Sequence, residues 1–138
     1  MNETRKRALA TDNQNQRNSE KRKQLSDSID VLEYFSHARP FSNVKIIFNQ
    51  TTIWCDKAPL AAASPVFTSM LLKENNQVEL VTLENIELEE FLLLLQFIYP
   101  LFNPEINEKN ISSLIRLADR FQFGSLLIRT MNLFNPSL

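Results

Sequence analysis

Glycine, cysteine and histidine are nearly missing from this sequence: each occurs once among 138 residues, as Gly124, Cys55 and His37. Phosphate loops and dinucleotide fingerprints need two or three closely spaced glycines so that backbone can approach phosphate. One glycine excludes both. A single cysteine forbids an internal disulfide, and with one histidine it cannot furnish a tetrahedral zinc site from soft ligands. His37 is also the one conventional general base for a Ser or Cys nucleophile. It falls at a helix end beside Arg39 and Pro40, where a surface or capping role is the expectation. Most enzyme classes are improbable on these grounds, and neither cofactor nor metal is expected.

Long apolar runs are lacking too. Phe91–Pro104, the longest uncharged apolar stretch, has 14 residues and is interrupted by Gln96, Pro100 and Asn103. A membrane-spanning helix needs roughly 20. The N-terminus has no apolar stretch of the secretory type, and Asn135–Leu138 match no prenylation signal. The expectation is a soluble protein of the cytoplasm, the nucleus or both, with Cys55 reduced and no membrane partner.

What is present is unevenly spread. Residues 1–25 carry seven Lys/Arg against three acids, a net +4, while the remainder carries eight against thirteen, a net −5. A basic tail therefore precedes an acidic body, although the whole chain is formally −1. The tail is rich in Asn, Gln, Arg and Lys and has too few apolar residues to offset its ordering entropy, so disorder is expected over 1–25. Its clusters Arg5–Arg7 and Lys21–Lys23 suit nucleic acid or nuclear import; a simply solvated tail is the favoured reading. No aromatic residue is there to stack on a base, which counts against nucleic acid as a partner.

From residue 26 to 138 the pattern is that of a folded domain. Ile29, Leu32 and Phe35 recur at helical spacing and predict a short helix ending before Pro40. Val44, Ile46 and Phe48 alternate as in a strand, Asn49-Gln50 turns, and Thr51–Cys55 returns. Two short helices are expected over Lys57–Ala63 and Ser64–Leu72, the second capped by Ser64 with Pro65 at its first position. Gln77–Leu83 reads as a strand with Val78 and Leu80 on one side. Leu88–Tyr99, apolar almost all round, predicts a buried central helix stopped by Pro100. Asn110 is the expected cap of a helix striped by Ile111, Leu114, Ile115, Ala118 and Phe121. Gly124-Ser125 would break the chain before a last helix that packs through Leu126, Leu127, Thr130, Leu133 and Phe134. The fold class is α+β, a small three-stranded sheet on a helical bundle.

Three motifs carry a resemblance. Lys57-Ala58-Pro59-Leu60-Ala61-Ala62-Ala63-Ser64-Pro65-Val66-Phe67 resembles the HK-x-x-LAA-x-SPVF signature of BTB/POZ domains. Phe91 with Phe97-Ile98-Tyr99 is similar to that family's F-x-x-hh-x-FIY, where h is apolar. Leu114-Ile115-Arg116-Leu117-Ala118-Asp119-Arg120-Phe121-Gln122 is similar to LL-x-LADRFQ. Order and spacing match from about Phe41 to Phe134. Tyr99-Pro100 and Ala118–Gln122 look most like the nematode branch of MATH-BTB adaptors.

The resemblance implies a BTB/POZ fold and a protein-interaction module without catalysis of its own. Such modules form homodimers, and many bring substrates to a cullin-3 type ubiquitin ligase; in other branches the dimer serves transcriptional repression. No MATH, Kelch or zinc-finger module is expected in this sequence. The implied dimer face is Val31, Leu32, Tyr34 and Phe35, whose apolar side has no evident partner within the domain. A helix folded back on its own body is the alternative. The implied cullin contact is Leu72 and Glu74, an apolar-x-Glu pattern, together with Tyr99 and Phe121, which are weighed against plain core positions. The family's charged pocket falls at Asn43 and Lys57; Asn43 lacks the usual carboxylate, and Asp56 stands where a histidine is usual. Trp54 either meets a partner or lies under the tail. Glu84, Glu87, Glu89 and Glu90 read as helix-start charges rather than hydrolytic acids. The rival function is a nuclear BTB protein whose basic tail touches nucleic acid. A third is a subunit that pairs with other BTB proteins and blocks them.

Overall fold

The computed structural model describes residues 30–74 and 76–134, the last by its backbone alone. The expected basic tail over 1–25 lies outside the described residues, as do Ile29 and the side chain of Phe134. The described chain runs α1 (Val31–Ser36), β1 (Val44–Phe48), β2 (Thr51–Cys55), α2 (Lys57–Ala63), α3 (Pro65–Met70), β3 (Glu79–Thr82), α4 (Leu88–Ile98), α5 (Ile111–Arg120) and α6 (Gly124–Phe134). This is the α+β layout the sequence predicts.

The sheet order is β2-β1-β3. β1 and β2 form the expected hairpin, with Phe48 opposite Thr51 at the turn, while β3 lies parallel to β1. Side chains alternate across a strand, so Val44, Ile46 and Phe48 point into the core together with Ile53 and Cys55. On β3 the buried positions are Glu79 and Val81. Val78 and Leu80 do share a side, but it is the solvent side, 46% and 61% exposed. Register decides this: Glu79 stands beside Val44 and Val81 beside Ile46, and a strand's face is set by the strand it pairs with.

α4 is the central pillar, with Phe91, Leu92, Leu94 and Leu95 buried. Around Phe91 sit Phe48 from β1, Phe67 from α3 and Phe121 at the end of α5, their ring centroids 5.6, 6.0 and 6.1 Å away. Ser64 caps α3 as its sequence suggests, its Oγ accepting the Phe67 N–H at 3.2 Å, with Pro65 opening the helix.

Four local expectations are refined. Asn110 holds the N-cap position of α5 as expected, but its side chain does not cap the helix: it donates to the Glu105 carbonyl and accepts the Asn107 N–H, both at 2.8 Å. Asn107 closes the turn before α5: its Oδ1 accepts the N–H groups of Lys109 and Asn110, and its carbonyl accepts that of Ile111. Gly124 does not end α5. The N–H groups of Gln122 and Phe123 return to the carbonyls of Asp119 and Ala118, a Schellman closure in which Gln122 takes the left-handed position at φ 53°. Gly124 instead begins α6. On α6, Leu126 and Thr130 are buried as expected, but Leu133 is 58% exposed, because the last turn, Met131–Leu133, stands clear of the core. α5 buries Leu117 as well as Leu114 and Ala118, a position the expected stripe leaves out.

Candidate interaction surfaces

α1 begins at Asp30, whose carboxylate accepts the Glu33 N–H at 3.3 Å. Its apolar side has a partner within the domain. Phe35 is fully buried, with Tyr99 and Phe102 at centroid distances of 5.0 and 5.9 Å. Arg39 locks this packing. Its guanidinium donates to the carbonyls of Tyr34 and Trp54 at 2.8 and 3.0 Å, pairs with Asp56 at 3.2 Å, and lies 4.4 Å over the Tyr34 ring. Tyr99 completes the bracket: its hydroxyl donates to Asp56 Oδ2 at 2.7 Å and accepts the Asp56 N–H at 2.9 Å. Burial first, then the neighbouring Cys55 and Asp56, push the Tyr99 pKa well above the ordinary tyrosine value. The Cys55 thiol is likewise pushed far up by burial, so it packs as a small hydrophobe.

Phe35 is therefore withdrawn from the expected dimer face, since a side chain with no exposed surface cannot offer area to a second molecule. Leu32, 40% exposed, stays accessible, with Val31 and Tyr34 half-buried. Sequence reasoning missed Phe41, which is 87% exposed. An apolar residue directly after Pro40, outside every periodic stretch, was the available signal.

The charged-pocket expectation is also corrected. Lys57 is 3% exposed and occupies no open groove. Its ammonium donates to the carbonyls of Lys73, Glu74 and Gln77 at 2.9, 2.9 and 3.0 Å and lies 3.4 Å from Glu79 Oε1. Three N–H donors thus meet three carbonyls, the full complement of an ammonium. Asn43, in place of a carboxylate, accepts the Lys57 backbone N–H through Oδ1 at 2.7 Å, and its carbonyl accepts the Glu79 N–H at 3.0 Å. Glu79 is a second residue that sequence reasoning missed. Its two oxygens accept the N–H groups of Leu72 and Lys73 at 3.0 and 2.9 Å. Burial pushes its carboxyl upward, but those two N–H donors and Lys57 together outweigh burial and hold it below the usual carboxylate range.

The four residues expected to meet a cullin separate into two groups. Leu72 is 83% exposed and Glu74 is exposed beside it. Tyr99 and Phe121 are buried, at 7% and 2% exposure. Phe121 stacks on Phe67 at 4.8 Å, and its carbonyl receives the Ser64 hydroxyl. Both are core residues, because the aromatic cluster and the Asp56 bracket consume their surfaces.

The outer face of the sheet carries Lys45, Ile47, Trp54 and Leu80, with Lys45 Nζ 5.0 Å from the Trp54 ring. Glu89 and Glu90 lie in the first turn of α4. Glu90 accepts the Glu87 N–H and pairs with Arg116, and the Glu84 carbonyl is held by Arg120. His37 is largely exposed and stands 3.5 Å from Glu33. No helix among the described residues is long and apolar enough to cross a membrane.

The three-stranded sheet of this order, the buried α4 and the Ser64-Pro65 helix junction are those of a protein-interaction module. The BTB/POZ domain profile matches residues 32–136, and the chain belongs to that family. It is 36% identical over 85 residues to the BTB and MATH domain-containing protein 38 of Caenorhabditis elegans, a match covering 58% of this chain. The matched region is 21% of that relative, so the chain spans about a fifth of its length.

Proposed function

We propose that this BTB domain is a homodimeric adaptor that presents Leu72 and Glu74 to a cullin-3 type ubiquitin-ligase scaffold, acting by binding and without catalysis. Leu72 carries the reading: its side chain is 83% exposed while its own N–H is tied to a buried carboxylate. An apolar residue on a backbone already fixed binds at lower ordering cost than one on a free loop. Self-association would use Leu32 with its neighbours Val31 and Tyr34, and the exposed Phe41 is a further apolar candidate. The proposed compartment is cytoplasm, nucleus or both. The rival reading, a nuclear protein bound to nucleic acid, rests on the +4 of residues 1–25. Its sign would be a steep salt dependence of DNA affinity that is lost when 1–25 is deleted.

The test is calorimetric titration of the whole chain with the purified N-terminal region of a cullin-3 type scaffold. Binding is expected, and Leu72→Glu should weaken it at least tenfold, about 1.4 kcal/mol, without changing the melting temperature. No heat up to about 100 μM, or equal binding by the variant, overturns the assignment.

A further inference from the structure

Leu72, Lys73 and Glu74 follow α3 but belong to neither helix nor strand. Regular hydrogen-bond ladders therefore do not hold their backbone, and buried peptide groups must find other partners. They find two side chains from different elements. Lys57, at the first position of α2, takes the carbonyls of Lys73, Glu74 and Gln77. Glu79, at the first position of β3, takes the N–H groups of Leu72 and Lys73. The two charges stand 3.4 Å apart, which offsets the desolvation each suffers.

We infer that Lys57 and Glu79 are positioning residues: a two-sided brace that presets the Leu72–Glu74 backbone for docking of a protein partner. The inference rests on the reading that Leu72 and Glu74 meet that partner. Neither charged group can touch it, because Lys57 is 3% and Glu79 7% exposed. An apolar pair of the same volume would fill this space as well and often more stably. It would take from an irregular segment the side-chain partners of three carbonyls and two N–H groups, and only the Glu74 carbonyl would keep a backbone donor, the Gln77 N–H. A buried ion pair is suited here to fixing a conformation, and a segment already ordered loses less entropy when it binds.

The experiment compares the full chain with Lys57→Met and Glu79→Gln. Met keeps the aliphatic stem without the ammonium; Gln keeps the shape without the charge. Amide hydrogen exchange is read residue by residue, and the scaffold titration above is repeated. Exchange at Leu72, Lys73 and Gln77 should accelerate at least tenfold while the amides of Ile46 and Leu94 keep their protection. Scaffold affinity should fall about tenfold, with a more unfavourable binding entropy as its signature. Equal acceleration throughout the domain, or loss of fold in both variants, overturns the brace, since the pair would then hold the core rather than the segment. Unchanged exchange at Leu72 and Lys73 overturns it as well. If the unaltered chain does not bind the scaffold, the adaptor reading fails and the docking role falls with it, while local acceleration upholds only the ordering of the segment by the pair. If the chain binds and both variants exchange faster locally yet bind equally well, the positioning role is refuted while the adaptor reading stands.

Discussion

Phe35 separates two accounts of the first helix, because truncating it should damage the protomer before it damages any dimer. The side chain is fully buried, in edge contact with Tyr34 and Tyr99 at 4.9 and 5.0 Å and against Phe102 and Arg39 at 5.9 and 5.2 Å. Phe→Ala at such a site removes apolar burial and leaves a cavity, together about 3–5 kcal/mol. A domain of ordinary stability has about 5–15 kcal/mol in all. Phe35→Ala should therefore be marginally folded. Leu32→Ala removes a side chain that is 40% exposed and should stay within about 1 kcal/mol of the parent. Urea unfolding at two protein concentrations, alongside analytical ultracentrifugation, tells them apart. Phe35→Ala is expected to lower the midpoint at both concentrations. Leu32→Ala should keep the midpoint of the dilute protein and shift mass toward the protomer. If Phe35→Ala instead unfolds like the parent when dilute and merely halves the sedimenting mass, the aromatic bracket around Arg39 and Tyr99 is not what holds α1. Placing charges at both positions together would confuse the two effects.

The end of α5 gives a second expectation. Left-handed backbone costs a non-glycine residue roughly 1–2 kcal/mol, and Gln122 adopts it at φ 53°. Gln122→Gly should raise the melting temperature by a few degrees once the larger freedom of unfolded glycine is subtracted; a lower value in scanning calorimetry contradicts the Schellman closure. Glu79 gives a pH dependence. Its carboxyl is lowered in the folded protein, so its stabilising contribution is complete above the ordinary carboxylate value of 4.5 and disappears as pH falls through the lower folded value. The gap in urea midpoint between the parent and Glu79→Gln should narrow from pH 7 to pH 3, and a constant gap would show that the charge is not held by Leu72, Lys73 and Lys57.

Much of this architecture was legible in the order of residues. Period-two alternation marks Val44–Phe48 and Thr51–Cys55, and the apolar run Phe91–Leu95 announces the buried pillar. Ser64-Pro65 identifies its own helix start. These signals lie within a few neighbours of one another along the chain, so local sterics and capping suffice to express them. The family signature is of the same kind, a set of residue types at short spacing. Tertiary structure alone decided which surfaces remain for partners. The side of β3 that faces inward depends on pairing with Val44 and Ile46, more than 30 residues earlier. Phe35 becomes core because Tyr99, Asp56 and Arg39 converge on it. Lys57, a charge expected in the family's pocket, becomes buried because carbonyls 16 to 20 residues away fold over its ammonium. A side chain's chemistry states what it can bond to; only the assembled chain determines which partner arrives, and hence whether Leu72 is left standing in water.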